Sequence, residues 1–448
     1  MDQRLTEGSI VKKLLKLTLP IMGTSFVQMA YNLTDMFWIG FIGSKAVAAV
    51  GIAGFFVWLS MGFILLTKVG TEILVAQRIG AEDKNRAREI ARVGITLTSI
   101  MAILFTFFVL STNAHLIAFF NTRDGDVEQM SRVYLGIVSL GFIGLFLNQI
   151  FTGLFNAVGN SRTPFVFNTV GLIMNMVLDP LMIMGIGPFE GLGVAGAAIA
   201  TVLAQITVMG LFLFAILGKH MLMGRIKLWI KPVKEDIEHI LKMGFPPAVQ
   251  SVFFTLISMV IARIIADFGP TPIAVQKVGS QIESISWMTA SGFSVALSAF
   301  VGQNFGAKKI DRVFEGYKRA MQIAFALGIF NTLLLYFGAK GLFMIFIREP
   351  EAIAYGIDYL KILALSQLFM CIEITSTGIF NGLGHTKPPA MIGVVFNLLR
   401  IPMAIVLALK LGWGINGIWW SITISSVFKG IVAYLWLHKI LKNAHVSA

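Results

Sequence analysis

Thr152-Gly-Leu-Phe-Asn-Ala-Val-Gly159 returns in the second half of the chain as Thr377-Gly-Ile-Phe-Asn-Gly-Leu-Gly384, at an offset of 225. The echo extends in both directions. Val75-Ala-Gln-Arg-Ile-Gly-Ala81 matches Val301-Gly-Gln-Asn-Phe-Gly-Ala307 at an offset of 226, and Leu15-Lys16 through Pro20 matches Leu241-Lys242 through Pro246 at the same offset. Asn175 through Pro180 pairs with Asn397 through Pro402 at 222, and Gly193-Val-Ala-Gly196 with Gly414-Ile-Asn-Gly417 at 221. The chain reads as two copies of one unit.

Composition says what kind of unit. Of 448 residues 56% are hydrophobic and only 13% charged, and the mean hydropathy is +0.80. Soluble domains carry roughly a quarter charged residues. Apolar runs of about 20 or more recur along the whole chain, as membrane-crossing helices require, whereas the ten-residue alternation of an outer-membrane barrel is absent. The expected class is an all-α membrane protein with twelve transmembrane helices. The spans fall at roughly 14–41, 46–76, 90–112, 130–157, 163–186, 192–217, 240–267, 273–302, 315–337, 353–382, 389–410 and 414–437. Six spans per copy is an even number, so both copies insert the same way round. Two pseudo-symmetric six-helix lobes then follow as a parallel repeat, with a cleft between the bundles as the expected substrate path.

The formal net charge of +13 would suit nucleic acid, but its placement says otherwise. With the N-terminus assigned to the cytoplasm, inner segments hold 24 Lys and Arg and outer segments six. That asymmetry is the orientation signal of a plasma-membrane protein with both termini inside, and no nucleic-acid partner is expected. The first apolar run is too long for a signal peptide and no cleavage site follows it. A single cysteine, Cys371, rules out a disulfide within the chain. The expected division is an N-terminal lobe at 1–217, a basic cytoplasmic linker at 218–239 and a C-terminal lobe at 240–448. The connection from Gly218 to Gly244, with Trp229 and Pro232, reads in part as an amphipathic segment on the inner surface.

Chemistry concentrates at Asn175-Met-Val-Leu-Asp179-Pro180. An Asp at the centre of a membrane helix costs about 3 kcal/mol, so it needs a cavity or a partner. Asn175 lies one turn earlier on the same face, and Pro180 strips the carbonyl of Met176 of its helical donor. Asp35 and Asp179 each fall roughly 10 Å inside the outer end of their spans, with Asn175 and Thr201 about a turn deeper. Tyr31 and Gln28, one and two turns before Asp35, extend the same stripe. These oxygens suit a hard cation such as Na⁺, or a proton shared between two close carboxylates. At the repeat offsets Asp35 aligns with Ile261 and Asp179 with Ile401, so the carboxylates are private to the N-terminal copy, which points to function.

Other intramembrane charges read as structural. Lys68 with Glu72, and Arg263 with Asp267, are spaced for local pairing or snorkelling. Glu283, Lys361, Glu373 and Arg400 suggest an ion-pair network, in which Arg400 has no evident partner. No catalytic constellation stands out: the six histidines lie in loops or at span ends, and no Walker Gly-Lys-Ser/Thr loop exists. The chain is not expected to be an enzyme or to need a cofactor beyond a coupling ion. Most of the 37 Phe and 22 Met belong to the core and the lipid-facing surface, with a pliable pocket as a lesser role.

Together, Tyr31-Asn-Leu-Thr-Asp35 with Gly40-Phe-Ile-Gly43, Val75-Ala-Gln77 with Gly80-Ala81, Gly153, Asn156 and Gly159, and Asn175, Asp179-Pro180, Gly193-Val-Ala-Gly196 and Ala200-Thr201 resemble the multidrug and toxic compound extrusion (MATE) family over nearly the whole chain. The resemblance implies a V-shaped pair of six-helix lobes, acting as a monomer, that exports small amphipathic, often cationic compounds by antiport against Na⁺ or H⁺. It implies that Asp35, Asp179, Asn175 and Thr201 form the coupling site, able to take Na⁺, that Gln28, Tyr31 and Asn148 line the substrate cavity, and that Pro20 and Pro180 let their helices bend. One branch of the family carries further carboxylates in spans seven and ten, where this chain has Phe254 and Met370. The resemblance is therefore to the DNA-damage-inducible and archaeal branch, which couples through the N-terminal lobe. A lipid-linked oligosaccharide flippase of the wider superfamily is the alternative, and would draw on Arg263, Lys361 and Arg400 for a pyrophosphate. A channel is the third class.

Overall fold

The structure, a computed structural model, describes residues 5–120, 124–185, 190–217, 233–346 and 349–446. Residues 218–232, with Trp229 and most of the expected linker, lie outside them. The first copy contributes α1 (Ile10–Ile42), α2 (Ser44–Gly80), α3 (Lys84–Ala118), α4 (Gly125–Ala157), α5 (Arg162–Met184) and α6 (Gly193–Leu217). The second contributes α7 (Lys234–Ala266), α8 (Pro270–Gly306), α9 (Ile310–Met344), α10 (Pro350–Ala364), α11 (Gln367–Gly382), α12 (Lys387–Ile405) and α13 (Ile415–Val446). A π-helical turn at Val406–Lys410 ends α12.

Ten of the described helices are long and apolar enough to cross a membrane, and α10 with α11, meeting at 49°, make one broken span. The 33-residue α1 completes twelve. Each expected span falls on a helix, several of which run a turn or two past it, and span ten breaks at Leu365–Ser366 without proline or glycine. Side chains there take carbonyls that a straight helix would use. The Ser366 hydroxyl donates to the Leu363 carbonyl, the Gln367 amide to the same oxygen, and the Thr332 hydroxyl to Ala364.

The repeat that opened the sequence is a repeated turn. Gly159 and Gly384 have φ of 81° and 82°, a left-handed conformation suited to glycine just past a helix end. Behind them the Asn160 N–H donates to Phe155 and the His385 N–H to Phe380. Glu82 and Lys308, at matching places in the two copies, share positive φ as well.

Contacts group the chain into two compact units, one containing Leu19–Ala248 and the other Leu5–Thr18 with the chain from Val249 onward. The divisions fall inside α1 and α7. In the first unit a cluster around Phe105, Phe142 and Phe146 fills one end and another around Phe151, Phe155 and Phe212 the other. In the second, Phe343, Tyr359 and Trp419 hold the middle of the main cluster. Large apolar side chains such as Phe107, Phe214 and Phe337 stay more than two-thirds exposed, the surface a lipid solvent requires rather than water.

Candidate functional site

In the first unit, α1, α4, α5 and α6 bring one polar cluster together inside an otherwise apolar lobe. Asp35 on α1 is buried, and Asp179 and Asn175 on α5 are fully so. The Asn175 amide donates to Asp179 Oδ1 at 2.9 Å, and the Thr201 hydroxyl on α6 donates to Asp35 Oδ2 at 3.3 Å. Tyr31, one turn before Asp35, donates to the Thr201 carbonyl at 3.3 Å. The two carboxyls lie close enough for their charges to interact. The helical spacing that paired Asn175 with Asp179 and Tyr31 with Asp35 is thus realised as geometry.

Several acceptors here are left bare. Asp35 Oδ1, Asp179 Oδ2 and Asn175 Oδ1 are buried with no hydrogen-bond partner. Native interiors pair such atoms almost without exception, so orphaned oxygens at one place mark a site that receives something. Proton sharing would satisfy the two carboxyl oxygens, and a cation held by carboxylate, amide and hydroxyl oxygens would satisfy all three.

The other anticipated residues sit apart. Gln28 is exposed on α1. Asn148 is buried on α4, where its amide donates to the Gln205 carbonyl of α6 at 2.9 Å. α1 runs unbroken through Pro20, and the Thr24 hydroxyl caps the Pro20 carbonyl at 3.1 Å. Pro180 is likewise inside a continuous α5. Sequence reasoning missed Tyr134, a buried α4 residue close enough to both aspartates to lie in their field. A signal existed: Tyr134 and Tyr359 occupy matching places in the two copies.

The second unit resolves its charges differently. Ile261 and Ile401, the counterparts of Asp35 and Asp179, pack in its main apolar cluster. Glu283 accepts from Tyr359 and from Gln367, at 3.0 and 3.1 Å. Lys429 pairs with Glu373 at 3.0 Å. Arg400, which the sequence left without a partner, donates to the Ser425 and Ser426 hydroxyls at 2.6 and 3.1 Å. Lys361 lies over the Tyr336 ring instead of joining this network. Arg263 pairs with Asp267 as its spacing suggests, whereas the Lys68 ammonium donates to Gln149 at 2.9 Å.

The MatE family model matches residues 20–181 and again 246–406. The two matched segments are counterparts of each other under the sequence repeat. The chain belongs to the MatE family: it is a multi-pass membrane transporter and not an enzyme. Among its relatives, the probable multidrug resistance protein NorM of Thermotoga maritima is 27% identical over 427 residues, covering 95% of this chain and 92% of that one. The FAD transporter of Shewanella oneidensis is 26% identical over 443 residues, covering 96% and 95%. The fold matches that of a multidrug resistance MATE transporter solved in an outward-facing conformation, with a TM-score of 0.91, 22% identity and coverage of 98% and 97%.

Proposed function

We propose that this transporter exports small amphipathic or cationic compounds across the plasma membrane by antiport, with Na⁺ or H⁺ entering through Asp35, Asp179, Asn175 and Thr201. The observation that carries this reading is the two-carboxylate pair with three bare acceptor oxygens inside an apolar lobe. Bearing two negative charges, the pair attracts a cationic substrate, and ion binding removes that attraction. An ion and a drug that compete for one charge exchange across the membrane, which is antiport. The relatives named for multidrug resistance support the substrate class, and the Lys and Arg distribution supports cytoplasmic termini. Gln28, Tyr31 and Asn148 remain the proposed substrate-side residues. We assign no cofactor and no macromolecular partner, and the working unit is one chain.

The flippase alternative needs free cations for a pyrophosphate. Arg263 and Arg400 instead hold partners, and Lys361 sits on an aromatic ring. The test is export of ethidium from proteoliposomes with Na⁺ and pH gradients imposed separately. Acceleration by either gradient, saturable in ethidium, supports antiport and names the ion. Flux indifferent to both gradients would end the reading, and uptake of a polyprenyl pyrophosphate instead would favour the flippase.

A further inference from the structure

Buried polar side chains recur down the same unit from the Asp35–Asp179 pair towards a third buried carboxylate. One turn past Thr201 on α6, Gln205 keeps Oε1 buried and unpaired, and its carbonyl accepts from Asn148. Asn148 also leaves its Oδ1 bare. Next to it on α4, Gln149 accepts from Lys68 of α2, and one turn beyond Lys68 stands Glu72. Glu72 is 8% exposed and its Oε1 has no partner. It lies two turns before Gly80, where α2 ends, roughly 12 Å inside the lobe's basic end, whereas Asp35 lies roughly 10 Å inside the opposite end.

A structural ion pair would explain Glu72 only if Lys68 bonded it, and Lys68 bonds Gln149. The repeat adds a second argument: Lys68 and Glu72 correspond to Ser294 and Ser298. Gly153 and Gly378 hold the same crossing in both copies, one facing Lys68 and Glu72 and the other Ser294. Only the copy that carries Asp35 and Asp179 places a carboxylate there.

We propose that Glu72 is a proton-binding station on the cytoplasmic side of the N-terminal lobe, receiving the coupling proton from the Asp35–Asp179 pair and releasing it inward. This rests on the antiport reading and selects the proton. A single buried carboxylate can take a proton on one oxygen, whereas a hard cation calls for several oxygen ligands. In the transfer one carboxyl of the outer pair becomes a carboxylate and Glu72 becomes a carboxyl, water carrying the proton along the amide and hydroxyl side chains. On α2 the charged neighbour of Glu72 is Lys68, and α3, packed against α2 through Gly94 and Thr71, carries the half-buried Arg88 and Arg92. The facing positions on α4 and α7 are Gln149, Gly153, Ile240 and Gly244, all uncharged, while His239 and Lys242 are exposed.

The test is ethidium export from proteoliposomes with internal pH varied at fixed external pH, for the wild type, Glu72→Gln and Glu72→Asp. Glu72→Gln should slow pH-driven export about a hundredfold, the low end for loss of a positioned proton carrier. Its rate should no longer respond to internal pH, its ethidium affinity should match the wild type, and Glu72→Asp should restore most of the response. A Glu72→Gln protein with normal internal-pH response overturns the station. So does a folded Glu72→Asp protein as defective as Glu72→Gln, since the side chain would then matter for shape alone. A wild type driven by Na⁺ and not by pH also overturns it while leaving antiport standing. A wild type driven by neither gradient fails the antiport reading itself.

Discussion

Replacing Asp35 by Asn tests the candidate site most directly, because the change removes charge and little else. Asparagine has nearly the same volume, and its amide oxygen can still accept from the Thr201 hydroxyl now 3.3 Å from the carboxylate. The fold loses only the charge-assisted part of one long hydrogen bond, about 1 kcal/mol. Removing a buried carboxylate beside Asp179 offsets part of that. Ion binding loses far more. A unit charge about 4 Å from a bound cation contributes about 4 kcal/mol at an effective dielectric constant of about 20, or about a thousandfold in affinity. For a proton, the pair loses one of its two carboxyls outright. Gradient-driven ethidium export should therefore fall to background in Asp35→Asn proteoliposomes, while the thermal midpoint in detergent stays near that of the wild type. Export at the wild-type rate would refute the assignment of Asp35, and so would a loss of export that tracks a collapse in thermal stability.

Other contacts make separate predictions. Glu283 is enclosed by its own donors, Tyr359 and Gln367, so Glu283→Gln should cost about 1–3 kcal/mol of stability yet keep gradient-driven export; lost export in a stable protein would move Glu283 into the transport machinery. Arg86 pairs with Asp236, which is buried at the start of α7. Arg86→Ala should destabilise by about 3–5 kcal/mol through the stranded carboxylate, with much of the loss recovered when Asp236→Leu is added, as thermal melts would show. On the opposite face Lys45 binds both Asp124 and Asp126 at 2.8 Å, and its hydrogen bond holds the Asp124 carboxyl below its ordinary range. That contribution is present above about pH 4 and fades as pH falls through the lowered value. Melts of Lys45→Gln and wild type should therefore converge in acid.

The twelve spans and the repeat were legible because lipid imposes one rule on every span, a long apolar run, and because duplicated turns keep their glycines. The site was legible where one helix decides neighbours: Asn175 with Asp179, and Tyr31 with Asp35. It was not where a second helix decides. Spacing places Lys68 and Glu72 on one face, but the ammonium finds an amide on α4, a partner no spacing on α2 announces. Arg400 likewise is satisfied by serine hydroxyls on α13, residues too common in membrane helices to stand out. The break in span ten was hidden for a related reason, since its carbonyls are taken by a serine, a glutamine and a threonine from a neighbouring helix instead of being released by a proline.

The two copies show what duplication allows. A carboxylate that must bind and release an ion cannot be given a full set of donors, because fixed hydrogen bonds would compete with the ion and hold the charged form in place. Its bare oxygens then weaken the lobe that carries it. In this chain Asp35, Glu72 and Asp179, carboxylates with a bare oxygen inside the membrane spans, all belong to the first unit. The second unit fills the corresponding places with Ile261, Ser298 and Ile401 and gives Glu283 and Glu373 donors of their own. Shared turns keep both copies to one architecture, while the strain of an ion path is confined to one of them. Transferring Asp35 and Asp179 to the second unit would place two charges inside its main apolar cluster, where Ile261 and Ile401 now pack.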